Sequence, residues 1–186
     1  GHSVRFIDAN ALNLSKEQVL ARVQRYAPDL VAMTVTTYMF HQNLSWIRYL
    51  KQHTQIPVLV GGQHMSLYPY ETFEHKDIDY GIIGEAEETA VEFIDALEKG
   101  KPLENVSSIL FRNADGKVIK TGNGRTVKDL DKVPFPARDL LPNERYFEFI
   151  TQRKNFSLIM TSRGCPYLCI YCEQGKTTFR GRSAQN

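Results

Sequence analysis

Short apolar runs alternate with amphipathic helical segments through the first two-thirds of this chain, and that alternation restricts the fold more than any other feature. Leu30–Val35 is a nearly continuous apolar run, as expected of a strand covered on both faces. Val58–Val60 is a second, cut off by Gly61-Gly62, and Tyr80–Ile83 a third, followed by Gly84. Between and around them lie helical patterns. Ser15 reads as an N-cap with Gln18 three residues on, and Val19, Leu20 and Val23 share one helical face ahead of Pro28. Leu44, Ile47 and Leu50 space a second helix that stops before Pro57. A third runs from Ala86 to Glu98, with Ala90, Phe93, Ile94 and Leu97 on its apolar side. Val4–Ile7 reads as a further strand at the start.

Strands separated by helices imply an α/β fold, a Rossmann- or flavodoxin-like parallel sheet with helices on both faces. Ligands of such sheets bind beyond the carboxyl ends of the strands. Here those ends carry Thr36-Thr37-Tyr38, Gly61-Gly62-Gln63-His64 and Gly84-Glu85-Ala86-Glu87. Each loop has two readings. Gly61 and Gly62 either let the backbone approach a cofactor or simply end a strand. Thr36 and Thr37 either bond a cofactor tail or face solvent. His64 either approaches a ligand or is a hydrogen-bonded loop histidine. Gly84 closes the third strand, and Glu85 either binds a cofactor edge or favours the first turn of the following helix.

After Pro102 the pattern changes. Val106–Phe111 and Lys117–Thr121 flank Asn113-Ala114-Asp115-Gly116, a β-hairpin signature. A proline-punctuated connector follows, with Pro134, Pro136 and Pro142, and then the apolar run Phe156–Met160, read as a strand. The expected organisation is an α/β domain over 1–102, a hairpin and connector over 103–154, and a further domain beginning at 155.

The three cysteines of the chain fall within eight residues, at Cys165, Cys169 and Cys172. An odd, clustered set argues against a disulfide framework and for a shared metal. Thiolates suit iron–sulfur clusters or zinc. Structural zinc wants four protein ligands, and here the fourth would have to be a distant group such as His75. A cubane on three cysteines instead leaves one iron open. Gly164 and Pro166 suit the tight bend such a loop needs.

The segment Thr161-Ser162-Arg163-Gly164-Cys165-Pro166-Tyr167-Leu168-Cys169-Ile170-Tyr171-Cys172 resembles the cluster loop of the radical S-adenosylmethionine (SAM) superfamily. The resemblance implies a 4Fe–4S cluster on Cys165, Cys169 and Cys172, with SAM chelating the open iron and Tyr171 close to it. It implies reductive cleavage of SAM to a 5′-deoxyadenosyl radical that takes a hydrogen atom from a substrate. Gly61-Gly62-Gln63-His64, Asp79-Tyr80, Gly84-Glu85-Ala86-Glu87 and the connector Lys132-Val133-Pro134-Phe135-Pro136-Ala137-Arg138 resemble, in the same order, the cobalamin-binding-type domain that precedes many radical SAM barrels. Members of this layout include radical SAM methyltransferases and the anaerobic magnesium-protoporphyrin IX monomethyl ester oxidative cyclase type. The implied cofactors are the cluster and SAM, with cobalamin left open, because the D-x-H-x-x-G motif that brings a histidine to cobalt is missing. The implied partners are a small-molecule substrate and an electron donor. By the same resemblance a first strand and helix are expected ahead of Gly1, and the radical SAM domain is expected to continue beyond Asn186. The rival reading is a non-catalytic corrinoid- or zinc-binding module.

Composition narrows the classes further. A net charge of +2, from 23 basic and 21 acidic residues, gives no electrostatic footprint for nucleic acid or an anionic membrane. No apolar run approaches the length needed to span a bilayer, and the chain reads as cytoplasmic. Lys176, Arg180 and Arg182 read as a solvated tail.

Overall fold

The computed structural model describes residues 1–147, 157–172 and 177–186. They form two compact units, Lys16–Val127 and a second made of Gly1–Ser15 with Lys128–Asn186.

The first unit is built in the order α1 (Lys16–Tyr26), β1 (Val31–Thr34), α2 (Phe40–His53), β2 (Val58–Gly61), α3 (Gln63–Leu67), α4 (Pro69–Glu74), β3 (Tyr80–Ile82), α5 (Ala86–Glu98), β4 (Ile109–Arg112) and β5 (Val118–Lys120). The strands make one five-stranded mixed sheet in the order β1-β2-β3-β4-β5. β1, β2 and β3 run parallel, with Val31 opposite Val58 and Leu59 opposite Tyr80. β4 and β5 continue the sheet antiparallel. This is the flavodoxin-like architecture expected from the alternation.

The sheet is covered on both sides because its central strands are apolar at every position. In β2, Val58 and Val60 enter one buried cluster with Phe40, Ile47, Met65 and Phe73, while Leu59 enters the other with Phe93 and Ile109. The helices follow their sequence signals. α1 begins directly after Ser15 and ends at Tyr26, where Ala27 turns to φ +49° ahead of Pro28. Leu44, Ile47 and Leu50 are the buried face of α2, and α5 spans Ala86–Glu98 as its periodicity predicts. The short helices α3 and α4 carry too few turns to leave a helical period in the sequence.

The hairpin does not stand apart in a connecting segment. β4 pairs with β3, placing Ile109, Leu110 and Phe111 in the two cores. The open edge of β3 needs a partner, and a strand apolar on both faces needs covering, so each satisfies the other.

Two expected strands are corrected. Val4–Ile7 forms no strand, and Val4 and Phe6 are largely exposed. A β conformation is held by a neighbour's hydrogen bonds, and this segment has no ladder partner among the described residues. Ser157–Met160 is likewise not a strand, with Leu158, Ile159 and Met160 exposed; Phe156 lies outside the described residues. The second unit instead holds a two-stranded ladder, β6 (Ser162–Arg163) with β7 (Arg180–Gly181). The basic end of the chain is therefore not a solvated tail. Arg182 lies over the Phe135 ring at 5.0 Å and donates to the Val133 carbonyl, and the Ser183 amide donates to Asp131. Lys176 lies outside the described residues. No described helix is long and apolar enough to cross a membrane.

Candidate functional site

In the first unit the carboxyl ends of β1, β2 and β3 bring three loops together, and the chain ties them with backbone and hydroxyl bonds. The Val35 amide donates to the Gly61 carbonyl (2.8 Å), and the His64 amide donates to the Val35 carbonyl (3.1 Å). Gly62 makes this approach possible. It sits at φ +98°, ψ −172°, and a Cβ there would lie 2.8 Å from the Val35 oxygen and 2.9 Å from Thr34 Cγ2. Only glycine occupies that conformation without strain. Gly61, one residue earlier, differs: among the described residues nothing lies within 4 Å of where its Cβ would be. Thr36, Thr37, Tyr38 and Gln63 are exposed around it, Tyr38 at 95%.

His64 is carried by α3 into the interior, where only 2% of it remains exposed. Its ring stacks on Phe40 with centroids 3.9 Å apart and meets Tyr68 at 5.3 Å. Nδ1 lies 3.3 Å from the Thr37 hydroxyl, and Nε2 is buried with no hydrogen-bond partner among the described residues. Burial holds the imidazole pKa below its ordinary value; the Glu71 carboxylate opposes this, and His41 and His75 reinforce it.

The third loop is engaged by its own chain. Gly84 turns at φ +79°, where a Cβ would lie 2.7 Å from the Arg125 carbonyl oxygen, and it forms an isolated bridge with Arg125. The Glu85 carboxylate accepts the Val127 amide at 2.8 Å and makes no capping bond to α5, so its role at this helix end is to tether the 124–127 segment. Arg125 in turn clamps Glu92 through both terminal guanidinium nitrogens. Ser66, which sequence reading did not single out, joins the second and third loops: its hydroxyl donates to the Gly62 carbonyl and accepts the Gly84 amide. A serine inside a five-residue helix carries no pattern that would have marked it.

In the second unit the β6–β7 ladder closes the cysteine loop. Gly164 follows β6 at φ +78°, so close to the returning strand that a Cβ would lie 2.9 Å from the Thr177 oxygen. The Cys165 amide donates to Thr177 and the Cys172 amide to the Cys169 carbonyl (3.0 Å). All three thiols are free; Cys169 is exposed, Cys165 and Cys172 are half-buried, and Tyr171 is 89% exposed. Among the described residues no three His, Cys, Asp or Glu side chains converge on a metal-sized point. What fits a cluster here is the donor chemistry, three cysteine sulfurs within eight residues. His75, weighed as a fourth zinc ligand, belongs to the first unit, with its Nδ1 3.5 Å from an Arg48 nitrogen.

A doubly covered, largely parallel sheet with small residues and hydroxyls at its carboxyl end defines a cofactor-binding α/β domain. The family of the B12 binding domain matches residues 1–94, and the chain belongs to it. An uncharacterized methyltransferase of Pyrococcus horikoshii is 31% identical over 99% of this chain and 40% of its own length. The anaerobic magnesium-protoporphyrin IX monomethyl ester cyclase of Rubrivivax gelatinosus is 29% identical over 93% of this chain and 32% of its own length. The chain thus spans well under half of either relative. Among solved structures, the cobalamin-dependent S-adenosylmethionine radical enzyme OxsB with aqua-cobalamin and S-adenosylmethionine bound superposes with a TM-score of 0.76 at 22% identity, over 96% of this chain and 25% of its own. The radical S-adenosylmethionine methyltransferase TsrM of Kitasatospora setae, with cobalamin and a [4Fe-4S] cluster bound, gives 0.68 at 19% identity, over 98% of this chain and 38% of its own. The methyltransferase and cyclase types that the resemblance named are both among these relatives.

The first unit's residues fit a corrinoid. The space beyond Gly61 is open, Thr36 and Thr37 are exposed residues, and His64 is turned inward onto Phe40.

Proposed function

We propose that the chain is the cofactor-binding part of a radical SAM enzyme that performs methyl transfer or oxidative cyclisation on a small-molecule substrate. The observation that carries this reading is the pairing, in one chain, of a B12-binding sheet with a C-x-x-x-C-x-x-C loop. The methyltransferase relative, aligned over nearly the whole chain, supports methyl transfer, and the cyclase relative supports ring closure. Cys165, Cys169 and Cys172 would hold a 4Fe–4S cluster, with SAM near Tyr171. Thr36, Thr37, Gly61 and Gly62 would receive the corrinoid, without histidine ligation from His64. Bound, the cluster would supply an electron and an open iron for SAM, and the corrinoid a methyl carrier. The chain's own residues bind and orient these groups. The proposed partners are an electron donor and the substrate, and the proposed compartment is the cytoplasm, where thiols are kept reduced.

Electron paramagnetic resonance of the anaerobically reconstituted, dithionite-reduced protein tests the cluster. A reduced 4Fe–4S signal that shifts with SAM and disappears in Cys169→Ala is the expected result. A colourless protein with one zinc per chain would instead identify a non-catalytic metal-binding module. Titration with hydroxocobalamin, followed by absorbance, tests the corrinoid separately.

A further inference from the structure

Among the described residues at the sheet end, His64 is buried and polar and its Nε2 has no hydrogen-bond partner. Thr89 Oγ1, in the first turn of α5, is the other such atom on a fully buried side chain there, but it belongs to the helix rather than to the loops beyond the strands. Considerable structure places His64 there. Gly62 admits the close approach of the second loop to Val35, the His64 amide bonds the Val35 carbonyl, and the ring is pressed flat against Phe40. The ring's polar contact among the described residues is with Thr37, itself exposed and backbone-fixed by the Phe40 amide, which donates to its carbonyl at 3.3 Å.

The protonation of the ring then follows from what each form leaves unpaired. A proton on Nε2 would strand a buried N–H, an arrangement that folded proteins rarely tolerate. The imidazolium would strand the same N–H and bury a charge as well. A proton on Nδ1 is donated to Thr37 Oγ1 and leaves a bare lone pair among rings, the least costly of the three. With its oxygen accepting from His64, the Thr37 hydroxyl keeps its own proton for a partner outside.

We infer that His64 is a positioning residue: it fixes the Thr37 hydroxyl as an outward hydrogen-bond donor to an acceptor oxygen of a bound corrinoid. This rests on the corrinoid reading above. The acceptor is an amide carbonyl of the corrin rim or the phosphate of the nucleotide tail, which share this chemistry. His64 itself touches neither the ligand nor cobalt.

The test is absorbance titration of this chain with hydroxocobalamin and with diaquacobinamide, which lacks the nucleotide tail. Thr37→Val and His64→Phe each weaken binding about 5- to 10-fold, the loss of one hydrogen bond. The double variant is no weaker than either single one, because both remove the same contact. Thr37→Ser and His64→Asn, whose amide donates from the place of Nδ1, retain affinity. A loss with both corrinoids assigns the contact to a rim amide, and a loss with hydroxocobalamin alone assigns it to the phosphate. Unchanged affinity in Thr37→Val, or losses that add in the double variant, overturns the proposal. Should His64→Phe not fold, the exposed Thr37 pair still decides it. If the unaltered chain binds neither corrinoid, the corrinoid reading falls. The positioning is then judged from histidine ¹⁵N shifts of the ligand-free protein: an Nδ1–H tautomer that changes in Thr37→Val upholds it, and an Nε2–H tautomer refutes it.

Discussion

Gly61 and Gly62 are adjacent, identical in type and indistinguishable in sequence, yet alanine should destabilise the protein at Gly62 and leave its stability nearly unchanged at Gly61. At Gly62 the backbone occupies φ +98°, ψ −172°, a region essentially reserved for glycine, which costs another residue about 1–3 kcal/mol. The added methyl would meet the Val35 oxygen at 2.8 Å and the Val35 nitrogen at 3.0 Å. Neither can retreat cheaply, because the amide bonds Gly61 and the carbonyl bonds the His64 amide. Relief means losing about one hydrogen bond, roughly 1 kcal/mol. Alanine's stiffer unfolded chain returns about 0.4–1 kcal/mol. The net expectation for Gly62→Ala is a destabilisation of about 1–4 kcal/mol. Gly61→Ala meets no atom within 4 Å and no left-handed backbone, so its stability should stay within about 1 kcal/mol of the parent. Its methyl would instead enter the open space over the sheet end and weaken corrinoid binding. Urea unfolding followed by circular dichroism measures both. Equal losses at the two positions, or a Gly62→Ala variant as stable as the parent, would refute the reasoning.

Phe93 is fully buried on α5 and meets Tyr80 edge-on at 5.0 Å, so Phe93→Ala should cost about 3–5 kcal/mol in the same assay, and Phe93→Leu clearly less. Glu85→Ala removes the acceptor of the Val127 amide; exchange of that amide should quicken about tenfold, a loss of about 1.4 kcal/mol, with little change at α1. Stability should also fall in mild acid because of His64. Its folded pKa is lowered, so the unfolded chain takes up the proton first as the pH drops through the ordinary histidine value of about 6.5. The stability present above that value is lost from there down to the folded pKa, at no more than about 1.4 kcal/mol per pH unit. His64→Phe should remove this part of the acid limb, and an unchanged slope in denaturation curves between pH 7 and 5 would count against it.

The sequence by itself determined the framework and the donor chemistry. Periodicity over α2 and α5 and the apolar runs of β1, β2 and β3 reach over enough residues to register, and their alternation implies the sheet and the end at which ligands bind. Cys165, Cys169 and Cys172 stand out in the sequence because soft donors at close spacing point to a shared metal without reference to fold. Tertiary structure decided what depends on contacts distant in the chain. Val4–Ile7 and Ser157–Met160 read as strands from composition, but a strand exists only beside a neighbour, and the β4–β5 hairpin found one in β3 where the sequence only predicted a hairpin. Within the site, the difference between Gly61 and Gly62 comes from where Val35 lies. The tethering role of Glu85 depends on Val127, 42 residues away, and the inward turn of His64 depends on Phe40 and Thr37. Residue type sets which bonds a side chain can make, and only the packed chain decides which partner is within reach.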